Sequence, residues 1–224
     1  MQKSSEEYAT PVATVDVVLL TVRGGTLSVL LIRRANEPWA GQYALPGGFV
    51  HVDEDQDLDD AVRRVLRTKV GVQPAYLEQL RTFGSRSRDE RGWSLSVSYM
   101  ALVPEGAIVP QEGVDYKIVP IDSIRSLPFD HAEIVRSAAE RVRSKSSYSS
   151  LPCYLLGEEF TLRELEEIYE QVLATELDTS SFRRKVFDQG IVEVIDGRMR
   201  SGGSHRPSQL YRMAGDLRAF NRTL

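Results

Sequence analysis

The chain opens with two apolar runs broken by a glycine pair. VATVDVVLLTV (Val12 to Val22) and LSVLLIRR (Leu27 to Arg34) read as strands, and Gly24-Gly25 between them predicts a hairpin turn. The period then changes. Leu58, Ala61, Val62, Val65 and Leu66 recur at helical spacing, predicting a helix from Leu58 to Lys69. Tyr76 to Phe83 and Leu95 to Val103 return to strand character, and Tyr116 to Pro120 reads as a short further strand. Ile134, Val135, Ala138, Ala139 and Val142 share one side of a helix from Ile134 to Val142. The pattern predicts an α+β domain built on a mixed β-sheet.

SKSSYSS, residues 144–150, is small, polar and aperiodic, and reads as a linker or domain edge, or as a plain surface loop, between domains at 1–145 and 150–224. Beyond it the pattern is helical. Glu159-Phe160-Thr161 opens a helix in which Thr161 and Glu164 fit a capping box, with Leu162, Leu165, Ile168, Tyr169 and Val172 as the buried stripe. Thr179 or Ser180 caps a second helix, SSFRRKVFDQ, which Gly190 ends. IVEVIDGRMRSGGSHRPSQLYRM predicts a strand, a turn at Asp196-Gly197, a Gly-Ser-rich tip and a last strand. Helix, turn, cationic helix and hairpin make a C-terminal winged helix-turn-helix plan.

Composition adds exclusions. At 42% hydrophobic and 27% charged the chain is ordinary for a globular protein. No apolar run approaches the roughly 18–20 residues of a membrane helix, so no membrane partner is expected. MQKSSEEYATPVA lacks the apolar core of a secretory signal, which points to a cytoplasmic protein. A single cysteine, Cys153, excludes a disulfide framework and a multi-cysteine zinc site, and three scattered histidines suggest no metal cluster. The net charge of −4 is uneven: residues 178–224 carry nine Lys/Arg against five acids, a net of +4. A basic end on an acidic body is one footprint of nucleic-acid binding, and also what a solvated mixed surface looks like.

The chemistry concentrates in LPGGFVHVDEDQDLDDAVRRVLRTKVGV, Leu45 to Val72. A glycine pair after a strand lets backbone approach a phosphate closely. Gly48, five residues, Glu54, then a helix with Arg64, Leu66 and Gly71 resembles the Nudix box, with two extra residues near Gln56-Asp57. Val65, Thr68 and Lys69 stand where that box carries three glutamates. Those glutamates hold Mg²⁺, which needs several oxygen ligands. A valine and a threonine cannot replace carboxylates. The Lys69 ammonium repels a metal and can instead pair with a phosphate as a point charge. Asp53, Glu54, Asp55, Asp57, Asp59 and Asp60 either build a relocated metal site or are solvated charges at a helix N-terminus.

NEPWAGQYALPGGFV, TFGSRSRDERGWSLSVSYMALV and SLPFDHAEIV extend the resemblance outside the box. With the C-terminal winged helix, nearly the whole chain resembles the Nudix-related transcriptional regulators, the NrtR family. That resemblance implies a Nudix-like effector domain that often cannot hydrolyse, fused to a DNA-binding winged helix. It further implies a homodimer on a palindromic operator, repression of NAD- or sugar-metabolism genes, ADP-ribose as effector, no required cofactor, and no resident metal. The competing expectation is an active Mg²⁺-dependent hydrolase of ADP-ribose.

Most candidate effector residues have a plain alternative. Arg33 and Arg34 end a strand within reach of phosphates, or face water as an edge pair. Trp39 and Phe49 line an adenine pocket, or are core. Gly47 and Gly48 offer backbone amides, and Lys69 the point charge. Arg88 in the SRSRDERG loop contacts ligand or dimer partner, or is solvated. Tyr99 and His131 face the same cleft, or His131 is a hydrogen-bonded surface or core residue. For DNA, Ser180, Ser181, Arg183, Arg184 and Lys185 lie in the N-terminal half of a recognition helix. Arg198, Arg200, Ser204, His205 and Arg206 form the wing. Phe182 and Val186 are expected in the core.

Overall fold

The hairpin pattern at the start of the chain seeds the larger sheet. The computed structural model describes residues 10–109, 111–201 and 207–220. β1 (Val12–Arg23) turns through Gly24 and Gly25, at φ +56° and +72°, into β2 (Thr26–Arg33). These left-handed values are what a tight hairpin asks of its central residues and what glycine adopts freely. Short strands β3 (Tyr43–Ala44) and β4 (Gly47–Phe49) follow. Then come α1 (Leu58–Val65), β5 (Tyr76–Ser85), β6 (Ser94–Leu102), β7 (Tyr116–Pro120) and α2 (His131–Ser146).

The seven strands form one mixed sheet in the order β3-β2-β1-β6-β5, with β4 also on β1 and β7 on β2. β1 and β6 run parallel and the other pairs antiparallel. β1 is buried on both faces, which explains its nearly unbroken apolar run. Val15, Val17 and Leu19 pack toward α1. Val18 and Leu20 pack toward α2. The helix expected over Leu58 to Lys69 is α-helical only to Val65. Residues Leu66–Val70 widen into a π turn, closed by the Gly71 N–H donating to the Leu66 carbonyl, with Gly71 at φ +75°.

The C-terminal half holds a 3₁₀ turn at Leu151–Leu155, α3 (Leu162–Leu173), α4 (Thr179–Asp188) and the hairpin β8 (Val192–Arg200) with β9 (Ser208–Met213). The capping box forms as expected: Thr161 accepts from the Glu164 N–H, while the Glu164 carboxylate accepts from the Thr161 N–H. Gly190 ends α4 at φ +59°.

Three expectations need correction. Of the alternatives for residues 144–150, neither the free linker nor the surface loop describes them: they are a packed edge between the two halves. α2 runs on to Ser146, and Ser146, Ser149 and Ser150 are all buried. Ser150 N–H donates to the Arg218 carbonyl, Phe220 N–H to the Tyr148 carbonyl, and the Tyr169 hydroxyl to the Ser149 carbonyl. Small polar residues there satisfy backbone groups inside a packed joint, and sequence alone does not separate that use from solvation. Second, Asp178 caps α4, accepting from the Ser181 N–H at 2.8 Å, in place of Thr179 or Ser180. Third, Asp196-Gly197 is a bulge inside β8, between the pairs Val194–Tyr211 and Met199–Gln209. The Gln209 side-chain amide fills it, donating to the Ile195 and Arg198 carbonyls.

Candidate functional site

The glycine turn is built by β4 lying against β1, with Gly47 opposite Asp16 and Gly48 opposite Val15. A Cβ on Gly47 would come 2.0 Å from Asp16 Oδ1 and 2.7 Å from the Val15 carbonyl oxygen, so only glycine fits. The turn faces α1 and its π extension. Lys69 Nζ donates to the Gly47 carbonyl. Val65 Cγ2 lies 3.4 Å from where a Gly48 Cβ would stand. Thr68 spends its hydroxyl on the Arg64 carbonyl of its own helix, at 2.8 Å. Burial lowers the pKa of Lys69; Asp16 opposes that shift and Arg34 and Arg64 add to it.

Mg²⁺ does not fit this arrangement. An ammonium occupies the Gly47 carbonyl and a methyl faces Gly48, where carboxylates would be needed. The acids of the preceding loop do not converge on the turn either. Asp55, its side chain 2% exposed, grips Arg64 with both oxygens at 2.8 and 2.7 Å and accepts from the His51 N–H. The Arg64 hydrogen bonds hold the Asp55 carboxyl at about 2, against the opposing effect of desolvation. Glu54, which the box spacing singles out, is exposed and pairs with His51 at 3.1 Å. Arg64 is thus held mainly by Asp55, with Glu54 farther off at 3.9 Å.

A cleft of about 670 Å³ opens on the α2 side of the sheet. Its walls are Trp39, Arg81 to Ser85 of β5, the loop 86–90, Leu127, Phe129, and Asp130 and Glu133 at the start of α2. Two wall residues, Trp39 and Phe129, hold left-handed backbone at φ +69° and +57°. Such conformations are costly for L residues and cluster at binding sites. Arg34 lies 4.8 Å over the Phe129 ring and donates to the Pro38 carbonyl, while Arg91 lies 5.4 Å over Phe49. Arg34 thus joins the cleft wall to the charges around the glycine turn.

Behind the wall is a buried ionic network. Arg88 donates twice to Asp130, at 2.9 Å each, and to Asp16 at 3.3 Å. His131 accepts the Leu45 N–H at Nδ1 (3.0 Å), and its Nε2 lies 3.4 Å from Asp16 Oδ1. Burial alone would raise the Asp16 carboxyl. The neighbouring His131 and Arg88 outweigh that and hold it at about 2.

The expected effector residues therefore divide. Trp39 and Arg88 line the cleft, though Arg88 spends its guanidinium on the buried acids. Gly47, Gly48, Phe49 and Lys69 gather at the glycine turn. Arg33 is exposed and tied to Asp115 at 3.4 Å and the Gly41 carbonyl. Tyr99 does not face the cleft: it is buried on the α1 side, its hydroxyl donating to Asp59 at 2.8 Å. His131 is buried with both nitrogens engaged, so it is a bonded core histidine. Sequence reasoning missed Asp16, Arg81, Arg91, Phe129 and Asp130, and it named Asp55 without foreseeing its pairing with Arg64. Only Asp16, a lone acid inside an apolar strand, carried a local signal.

On the C-terminal half, Phe182 and Val186 are buried, which turns Ser180, Ser181, Arg183 and Arg184 to solvent; Lys185 is half-buried. Arg198 and Arg200 on β8 are folded back onto the start of α3. Arg198 pairs with Glu159 and Arg200 with Glu164. Ser204, His205 and Arg206 lie outside the described residues.

Comparison with known proteins matches both halves. Residues 10–141 match the NUDIX domain, and residues 152–213 match the NrtR DNA-binding winged helix domain. The ADPR responsive transcriptional repressor NtrR of Acinetobacter baylyi is 38% identical, over 98% of this chain and 89% of its own. The crystal structure of Shewanella oneidensis NrtR complexed with a 27mer DNA superposes with a TM-score of 0.86 at 37% identity, covering 95% of this chain and 99% of that one. The NUDIX domain of the same protein, complexed with ADP ribose, matches with a TM-score of 0.56 at 39% identity, over 62% of this chain and 93% of that one. The chain belongs to the NrtR family, a Nudix domain followed by a DNA-binding winged helix.

Proposed function

We propose that this protein is a DNA-binding transcriptional repressor whose Nudix domain senses ADP-ribose without hydrolysing it. The effector half is residues 1–145 and the DNA-binding half residues 150–224. The observation that carries the non-hydrolytic reading is the Lys69 ammonium seated on the Gly47 carbonyl beside Val65. The turn keeps the close backbone approach that suits a diphosphate. Its charges are Lys69, Arg34 and Arg64 in place of a metal and its carboxylates. The cleft with Trp39 and Phe129 offers aromatic faces for the adenosine. Arg183 and Arg184 of α4 meet the operator, with Ser180 and Ser181 fixing the backbone register. A homodimer presents two such helices to a palindromic site, and the regulated genes serve NAD or sugar metabolism.

ADP-ribose releases DNA only if it prefers the non-binding arrangement. A hundredfold loss of operator affinity requires a differential of about 2.7 kcal/mol. The test is fluorescence anisotropy on DNA from upstream of the protein's own operon, with ADP-ribose titrated in without Mg²⁺ at near-physiological salt. Tight binding reversed by ADP-ribose is expected. Tight binding indifferent to ADP-ribose would discard the effector. Release of AMP from ADP-ribose once Mg²⁺ is added would replace the sensor with a working hydrolase.

A further inference from the structure

The wing arginines already have partners. Arg198 Nη2 donates to Glu159 Oε2 at 2.7 Å. Arg200 donates through Nη1 to Glu164 Oε1 and through Nη2 to the Glu159 carbonyl at 3.1 Å. Glu159 lies just before α3 and Glu164 in its first turn, where the other carboxylate oxygen completes the capping box. The capping box therefore fixes one of these acids in place. Arg198 sits in the bulged stretch of β8 and Arg200 just beyond it, where the pairing with β9 resumes. A bulge re-aims the side chains around it, here toward α3.

We infer that Glu159 and Glu164 are positioning residues that stand in for DNA phosphates on the free wing and so restrain its binding to non-specific DNA. The inference rests on the DNA-binding reading above. A guanidinium donates its N–H groups to carboxylate and phosphate oxygens alike. All four side chains are partly exposed, at 34–61%, so the pairs are weak and salt-screened and a phosphate can displace them. On random DNA the wing exchanges one set of oxygens for another and brings two carboxylates near the phosphates. On the operator, the base contacts of α4 offset that cost. The acids thus widen the gap between operator and random sequence.

The test uses the full chain, on an operator duplex and a random duplex of equal length, by anisotropy across a KCl series. The variant is Glu159→Gln/Glu164→Gln. Glutamine keeps the capping-box acceptor at position 164, and the backbone carbonyl of residue 159 is untouched. Random-duplex affinity should rise roughly tenfold at physiological salt. The plot of log affinity against log salt should steepen by nearly two, since each phosphate neutralised contributes about 0.9. Operator affinity should rise less, so the specificity ratio falls. Glu159→Gln alone should give part of the effect, and adding Arg198→Ala/Arg200→Ala should reverse it. Unchanged or weaker random-duplex binding, with an unchanged slope, would reduce the two acids to a structural clasp and overturn the inference. A wild-type chain that binds no operator would overturn the DNA-binding reading itself, and this inference with it.

Discussion

Asp16 is a carboxylate in the middle of an apolar strand, and its neighbours all act to keep it charged. Arg88, whose side chain is 4% exposed, and His131 converge on it, while Asp130 holds the other edge of the same guanidinium. Removing the Asp16 charge leaves Arg88 to Asp130 alone and takes the buried anion from beside His131, a loss of a few kcal/mol in such a network. Asp16→Asn should therefore destabilise the fold by about 3 kcal/mol at neutral pH. The pH dependence has a definite sign. The folded carboxyl sits at about 2 against an ordinary 3.8, so it is depressed. Its contribution is present above about pH 4 and is lost as pH falls toward 2, amounting to about 2 kcal/mol. Urea unfolding of wild type and Asp16→Asn from pH 5 to pH 2.5 checks this, because the difference between them isolates the residue. The gap should shrink as acid is added; a constant gap would mean that Asp16 is not held in its charged form. The acid itself was visible in VATVDVVLLTV. Its partner lies 72 residues away in the sequence, and only the fold brings the two together.

At the scale of elements, local chemistry predicted what local chemistry controls. The Thr161–Glu164 box needs four consecutive residues and formed as expected. Thr161→Ala should cost about 1 kcal/mol. In a chain of this size that lowers the melting temperature by roughly 2–4 °C, and it should also loosen the Glu164 that holds Arg200. Differential scanning calorimetry reads the first effect; unchanged melting would leave the cap without energetic weight. The helical period likewise placed Phe182 and Val186 inside and Arg183 and Arg184 outside. Arg183→Ala/Arg184→Ala should cost roughly a hundredfold or more in operator affinity, at 1–3 kcal/mol per good base contact. ADP-ribose affinity should not change. Unchanged operator binding would assign recognition to another helix. One miss was itself local, the Asp178 cap of α4; the others depended on distant residues. Asp196-Gly197 has the composition of a turn, and it becomes a bulge because Gln209 on the other strand supplies donors to its carbonyls. Residues 144–150 have the composition of a linker, and they become a joint because residues 218–220 return to pair with them. Tyr99 and His131 could be assigned to a cleft only by type, and Asp59 and Asp16 claim them instead.

That joint decides how the two halves can communicate. Val172 of α3, Leu151 and Leu155 belong to the same buried cluster as Ile134, Ala138 and Val142 of α2 and as Leu20 and Val29 of the sheet. A flexible tether would let an occupied cleft leave α4 undisturbed. The C-terminal half also has its own core around Phe160, Leu165, Tyr169 and Phe182. The packing shared through Leu151, Leu155 and Val172 nonetheless predicts that the halves unfold as one cooperative unit and that an effector favouring one packing of α2 biases α3 as well. α2 itself connects the two regions: Asp130 and Glu133 at its start line the cleft, and Ser146 at its end is buried in the joint. The prediction is measurable because both tryptophans, Trp39 and Trp93, report from the Nudix half. Tyr169, in α3, donates its hydroxyl to the Ser149 carbonyl at 2.8 Å from full burial. Tyr169→Phe removes that bond at a cost of about 1 kcal/mol. In a single cooperative unit, tryptophan fluorescence should show its midpoint fall by roughly 2–4 °C although no residue of the Nudix half was changed. Far-UV dichroism should fall in step. If the fluorescence midpoint stays put while dichroism splits into an early and a late transition, the halves unfold separately. The effector would then have to reach DNA through the arrangement of two subunits and not through α2.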